Sequence, residues 1–286
     1  MFARASVSVV IPAYNAEDTL TRALESVLVQ TWPAREIIVV DDASADGTPK
    51  IAQSYENRGV TLLKCSKQRG AAGARNAGIA SATCAWVAFL DADDEWLPSK
   101  LEEQVKTIEA DPEIAFVFSA SHEVCSDGHI LGDTFHGAEP KCANAAWKAL
   151  LARNFVATPT VVASRALLLQ AGGFDETLKI GEDQDMWIKL ALAGRVAYVP
   201  ESLVRVHVRN DSLSAWSLAD QRAHTLPMIE RHLLRQGGRL GCAEKRRILG
   251  ERVRNTGLSA CMHGDMKNGL TLIAQSVGLG YRPLQG

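Results

Sequence analysis

Asp91-Ala92-Asp93-Asp94 packs three carboxylates into four residues, directly after the apolar run Trp86–Leu90. Such a group repels itself, and desolvating it without a partner is costly, so a cation is its natural companion. Hard oxygen donors on a loop suit Mg2+ or Mn2+, bound jointly with the phosphates of a substrate. Helix capping, the ordinary use of Asp after a strand, cannot employ three carboxylates at once. A second acidic group, Glu182-Asp183-Gln184-Asp185, follows Gly181 at the start of a helical pattern. The helix macrodipole accounts for one or two of these charges. A carboxylate that must take a proton from a hydroxyl would be placed in the same way, its pKa tuned by neighbours.

Other polar groups fall at similar positions. Pro12-Ala13-Tyr14-Asn15 follows the first apolar run and Asp41-Asp42 the second. Asp41 or Asp46 alone reads equally well as a cap, and Tyr14 either packs at a sheet edge or lines a base pocket. Arg69–Gly78 is rich in Gly and Ala, which allows close backbone approach, and Arg75 within it is a candidate for facing phosphate. No Gly-Lys-Ser/Thr follows it, so it is not a Walker loop. His207 stands alone near a strand end and reads first as structural. His122, His129 and His136 match no usual metal spacing.

The elements that must hold these residues come from periodicity. Val7–Ile11, Ile37–Val40, Val60–Leu63 and Trp86–Leu90 predict strands. Leu20, Leu24, Val27 and Leu28 predict a helix capped by Asn15, Thr48-Pro49 opens a second, and further helices begin near Ala72 and at Ser99. Four β-α steps in succession predict an α/β fold with a mainly parallel sheet flanked by helices, whose strand C-termini share one edge where ligands bind. Beyond Asp111-Pro112 the pattern predicts strands at Ile114–Phe118, Thr160–Ala163, Val196–Val199 and Leu203–Val208. Helices are expected near 145–152 and over Glu182–Leu192. From Leu218 to Val277 the chain reads as a helical extension. The expected division is 1–212, itself split into 1–112 and 113–212, followed by 213–286.

Composition narrows the partners. With 286 residues and 47% apolar content the chain can bury a sizeable core, and a net charge of −2 gives no basic excess for nucleic acid. The six cysteines form no C-x-x-C pair, which favours reduced thiols over a zinc site or a disulfide framework. The early apolar run is too short for a signal-peptide core and no stretch reaches membrane-span length, so a cytoplasmic protein is expected. From Arg205 to Arg254, eleven basic residues face five acidic ones among leucines at helical spacing. This is a solvated face, a dimer surface or a peripheral contact with anionic lipid.

Taken together, Val9-Val10-Ile11-Pro12-Ala13-Tyr14-Asn15, Ser26–Thr31, Ile38–Thr48, Ala74-Arg75-Asn76-Ala77-Gly78, Phe89–Asp94 and Gly181–Asp185 resemble family 2 inverting glycosyltransferases, over about residues 6–210. The resemblance implies the GT-A (Rossmann-like) fold and a metal-assisted transfer from a nucleotide-sugar, with UDP as the expected nucleotide, to a saccharide or lipid-linked acceptor. It implies that Pro12, Tyr14 and Asp42 hold base and ribose, with Asn15 and Arg75 also in the donor site. The Asp91–Asp93 loop would bind the metal, with Asp93 the principal ligand and Asp91 or Asp94 the alternative for ribose or structure. Asp183 looks like the base, with Glu182 and Asp185 as alternatives, and His207 looks like a histidine beside the metal or diphosphate. The rivals are a sugar nucleotidyltransferase, against which the missing phosphate loop after the first strand counts, and a binding module without catalysis.

Overall fold

The computed structural model describes residues 5–125, 127–133, 145–208 and 217–279. Its strands are β1 (Val7–Ala13), β2 (Glu36–Asp41), β3 (Val60–Lys64), β4 (Trp86–Phe89), β5 (Glu95–Trp96), β6 (Ile114–Val124), β7 (Ile130–Asp133), β8 (Val162–Ser164) and β9 (Arg195–His207). They join in one sheet ordered β3-β2-β1-β4-β8-β6-β9-β5, with β7 paired to β6. Its longer ladders, β1 with β2, β2 with β3, β1 with β4 and β6 with β9, are parallel. The antiparallel contacts are made at β8, β5 and β7.

The parallel half follows from its helices. α1 (Leu20–Leu28), α2 (Thr48–Ser54) and α3 (Gly70–Ser81) each return the chain to the starting edge. Both sheet faces are therefore covered, which is why β1 reads as a nearly unbroken apolar run. On one face Leu20, Leu24 and Ala52 pack with Val9, Ile11, Val39 and with Leu101, Val105 and Ile108 of α4 (Lys100–Ala110). Each such leucine contributes about 1.5–3 kcal/mol by burial. On the other face Val10, Ile38, Val40 and Ile79 join α5 (Ala146–Ala152) and α7 (Glu182–Ala193). Trp187, fully buried on α7, sits 5.6 Å from Phe116 and 5.8 Å from Phe174 between ring centroids, fixing that helix against the sheet.

The chain continues through α6 (Arg165–Gln170) before α7. After β9 come α8 (Leu218–Asp220), a π-helical turn at Gln221–Thr225, α9 (Leu226–Arg235), α10 (Cys242–Met262) and α11 (Met266–Gly278). Pro227 lacks an amide to continue the ladder, and the helix widens just before it. Among the described residues no helix is long and apolar enough to cross a membrane. The expected boundary at 212/213 falls on 209–216, and His136 on 134–144, both outside the described residues.

Several local expectations change. Asn15 does not cap α1. It has a positive φ of 46° and its Oδ1 accepts from the amide of Ala45 at 2.9 Å, tying two loops together. The Thr48 amide is capped by Asp46 Oδ1 at 3.0 Å, so the cap lies two residues earlier than expected. The strands expected at Val196–Val199 and Leu203–Val208 are one strand, β9. Around Pro200 its register against β6 jumps from Ser119↔Val199 to Ala120↔Ser202, a bulge that absorbs the proline's missing donor.

Candidate active site

β1 has β2 on one side and β4 on the other, so the strand order reverses at β1 and a crevice opens beyond the carboxyl ends of β1 and β4. Pro12, half-buried, pairs with Val40 at this edge, and Tyr14 is 44% exposed beside it. Asp42 is buried, and its two oxygens accept from the amides of Arg69 and Gly70 at 2.8 Å each. It thereby fixes the start of α3 against the strand ends. Asn15 and Asp42 thus build the loop walls on which the exposed Tyr14 stands.

The acidic loop leaves β4 at the same edge. Arg75, on α3 and only 5% exposed, donates from Nη2 to Asp91 Oδ1 at 2.8 Å and from Nη1 to Glu182 Oε1 at 3.1 Å. Its guanidinium lies 5.5 Å over the Phe174 ring. Burial alone would pull its pKa down, but Asp91 and Glu182 hold it above the ordinary arginine value. One buried cation therefore links the loop after β4 to the start of α7. The Asp93 carbonyl accepts from Arg22 Nη2 of α1.

Asp94 is buried. Burial first, then the charges of Asp91 and Asp93, push its carboxyl well above the ordinary aspartate range. Its Oδ1 accepts from the His207 amide at 2.9 Å. The short β5, paired to β9 through Glu95↔Arg205, brings this loop beside the end of β9. There His207 Nε2 lies 3.7 Å from Glu95 Oε1 and has no hydrogen-bond partner although it is buried. Burial, then Arg22, holds its pKa below the usual histidine value against the opposing pull of Glu95 and Asp93. Three carboxylates beside an imidazole nitrogen are donors of the kind that suits a hard divalent cation. Among the described residues no three His, Cys, Asp or Glu side chains already converge as ligands.

Asp183 stands on the first turn of α7. Gly181, at φ 82°, turns the chain into the helix, and Asp183 Oδ1 accepts from the Gln184 amide at 2.6 Å while Oδ2 accepts from Asn154 Nδ2 at 2.8 Å. Burial raises its carboxyl above the ordinary aspartate value despite these bonds and the nearby Arg75. Glu182 is also raised, by burial and then by Asp183. Asp183 borders two clefts. One, of about 230 Å³, runs along Asn154–Ala157; the other, of about 520 Å³, is walled by α7, the π turn and α10. Asp185 points elsewhere: it is fully buried, with its Oδ1 2.7 Å from His232 Nε2 and its Oδ2 2.6 Å from Lys189 Nζ.

The structure therefore gathers Asp91, Asp93, Asp94, Arg75 and His207 at one end of the sheet, joined to Glu182 through Arg75, with Asp183 next along α7. Sequence reasoning did not single out Arg22 or Asn154. Neither belongs to a motif, and their contacts, Arg22 to Asp93 and Asn154 to Asp183, span 71 and 29 residues of chain.

Known proteins share this fold. The fold resembles that of S. aureus TarS residues 1–349 in complex with UDP-GlcNAc, with a TM-score of 0.74 over 96% of this chain and 81% of that one at 22% identity. In sequence the chain is 37% identical over 219 residues to the succinoglycan biosynthesis protein ExoO of Rhizobium meliloti (strain 1021), covering 73% of this chain but only 62% of that protein. It is 33% identical over 231 residues to TuaG of Bacillus subtilis (strain 168), a glycosyltransferase whose name assigns it to teichuronic acid biosynthesis, covering 79% of this chain and 88% of that protein. The model of Glycosyl transferase family 2 matches residues 8–151, the stretch that carries β1, Asp42, Arg75 and the Asp91–Asp94 loop. On that match and on the identity to TuaG across most of both chains, this protein belongs to glycosyl transferase family 2.

Proposed function

We propose that the chain is an inverting glycosyltransferase that moves a sugar from a nucleotide-diphosphate sugar, a UDP-sugar, to a hydroxyl of a saccharide or lipid-linked saccharide in the synthesis of a cell-surface polysaccharide. The observation that carries this reading is Asp183: a desolvated carboxylate with a raised pKa that opens onto two clefts and is tied through Glu182 and Arg75 to the acidic loop. TarS, bound to UDP-GlcNAc, and the polysaccharide roles in the names of ExoO and TuaG support the donor and product classes.

In this reading Pro12 and Tyr14 bound the base pocket, and Asn15 and Asp42 hold the loops around the ribose. Asp93, with Asp91 and His207, would hold Mg2+ or Mn2+. When bound, the cation offsets negative charge on the departing diphosphate. Arg75 keeps Asp91 in place and adds positive charge near the phosphates. Asp183 takes the proton of the acceptor hydroxyl as its oxygen bonds to the anomeric carbon. The bond from that carbon to the diphosphate breaks, and its electron pair leaves with the nucleoside diphosphate. Attack opposite the leaving group inverts the configuration. Asn154 aims Asp183 and steadies its ionised form. Residues 1–112 serve the donor and 113–212 the acceptor, and the basic helices of 213–286 rest on an anionic inner membrane face, which liposome co-sedimentation with and without anionic lipid examines.

The test is Asp183→Asn, assayed for UDP release from a panel of UDP-sugars with Mn2+ and for UDP binding by calorimetry. Transfer is expected to fall about 10²–10⁴-fold, the usual share of a general base, with UDP affinity within about twofold of the parent. Normal turnover in Asp183→Asn would remove Asp183 from the base role. UDP affinity indifferent to Mn2+ and to Asp93→Ala would remove the metal.

A further inference from the structure

The larger cleft at Asp183 contains two polar groups that the transfer reaction leaves unexplained. Arg252 of α10 is 8% exposed, yet among the described residues no carboxylate lies within ion-pairing distance of it. Its Nη2 donates to Gln221 Oε1 at 3.2 Å, while its Nε is buried with no hydrogen-bond partner. Thr225, 2% exposed at the end of the π turn, likewise has a buried hydroxyl without a partner. Both residues line the same cleft, where among the described residues Asp183 is the one acidic lining residue and Arg153 a second cation.

A guanidinium held by one neutral partner and stripped of much of its water is costly, and a buried orphan hydroxyl adds to that cost. Burial draws the Arg252 pKa down to about 10, with Asp183 too weak an influence to offset it. A ligand in the cleft that bonds to these groups recovers that cost. A planar fork of donors beside a hydroxyl suits a tetrahedral or planar oxyanion. The cleft, at about 520 Å³, has room for a sugar together with such a group.

We infer that Arg252 and Thr225, with Gln221 orienting the guanidinium, form an oxyanion subsite that grips a phosphate or carboxylate on the acceptor and so holds its hydroxyl against Asp183. This rests on the transferase reading above and adds to it that the acceptor is anionic near its reacting sugar. The group on the acceptor is either a phosphate ester, as a phosphorylated carrier would present, or the carboxylate of an acidic sugar.

The experiment uses the full chain with UDP and Mn2+ saturating, so that the donor site is filled, and titrates glucose 1-phosphate, glucuronate and methyl glucoside as probes. At least one anionic probe is expected to bind about tenfold or more tighter than methyl glucoside, the worth of a charge-assisted hydrogen bond. Preference for glucose 1-phosphate assigns phosphate; preference for glucuronate assigns carboxylate. Arg252→Gln is expected to erase the preference, Arg252→Lys to restore part of it, and Thr225→Val to reduce it while the cation remains. Circular dichroism and the UDP titration check that each variant is folded. Equal binding of charged and neutral probes, or a preference that survives in folded Arg252→Gln, overturns the subsite. If the parent protein fails to bind UDP, the transferase reading itself falls instead.

Discussion

Asp183 and Asp185 are two residues apart on one helix and have opposite surroundings. Burial pushes both carboxyls up, but hydrogen bonds from His232 and Lys189 overcome it at Asp185 and hold that group low. At Asp183 the partners are too weak, and the group stays high. A base with a raised pKa loses activity as pH falls through that raised value, so the acid limb of kcat/KM lies above the ordinary aspartate range. Asn154→Ala removes a bond that favours the ionised form and moves that limb to still higher pH, read from pH profiles of UDP release. The linkage has the same sign: stability tied to a raised carboxyl is present at low pH and lost as pH rises through the folded pKa. Asp183→Asn therefore raises Tm at neutral pH by about 1–3 °C while lowering transfer about 10²–10⁴-fold. Arg75→Met strands Asp91 and Glu182 without their cation and costs about 3–5 kcal/mol, measured as a lowered denaturant midpoint. The acidic loop and the Gly181–Asp185 group were legible because their residue types crowd at fixed spacing. The bridge by Arg75 was not, since Glu182 lies 107 residues away.

At the scale of elements, what the sequence spelled out was whatever its own periodicity determines. β1 to β4, α1, α4 and α7 announce themselves by runs and spacing of Val, Ile and Leu. β5 is two residues long and exists through its pairing with β9, and β7 sets Ile130 and Leu131 side by side ahead of Gly132 and Asp133, so neither shows the alternation of a half-buried strand. Asn15 looked like a cap because Asn suits both caps and left-handed turns, and only the neighbouring loop decided between them. The Gly-rich stretch before β4 left open either a phosphate cradle or close packing. At Gly78 the answer is packing: an added Cβ would lie 2.3 Å from Val10 Cγ1, so α3 presses directly on β1. Gly78→Ala is expected to destabilise by about 1–3 kcal/mol in thermal unfolding, and Val10→Ala in the same chain to recover part of that loss.

Across the whole molecule the helices after β9 are bound into the body rather than appended to it. His232 joins Asp185, Arg231 reaches Asp175 at 3.2 Å, Lys148 meets Glu244 at 2.7 Å, and Met228 and Ile229 enter the main core. His232→Ala leaves Asp185 with Lys189 and a weaker contact to Arg231, and faster amide hydrogen exchange is expected over 218–279 with little change in β1–β4. One wall of the larger cleft comes from α10, late in the chain, whereas the acidic loop comes from the first hundred residues. On the proposal that this cleft seats the acceptor, what receives the sugar is read jointly by the 113–212 stretch and α10, while what gives it is read by the first hundred residues. Because those helices also share the main core, a change of acceptor is expected to be reached through single lining residues of α10 rather than through exchange of the whole tail.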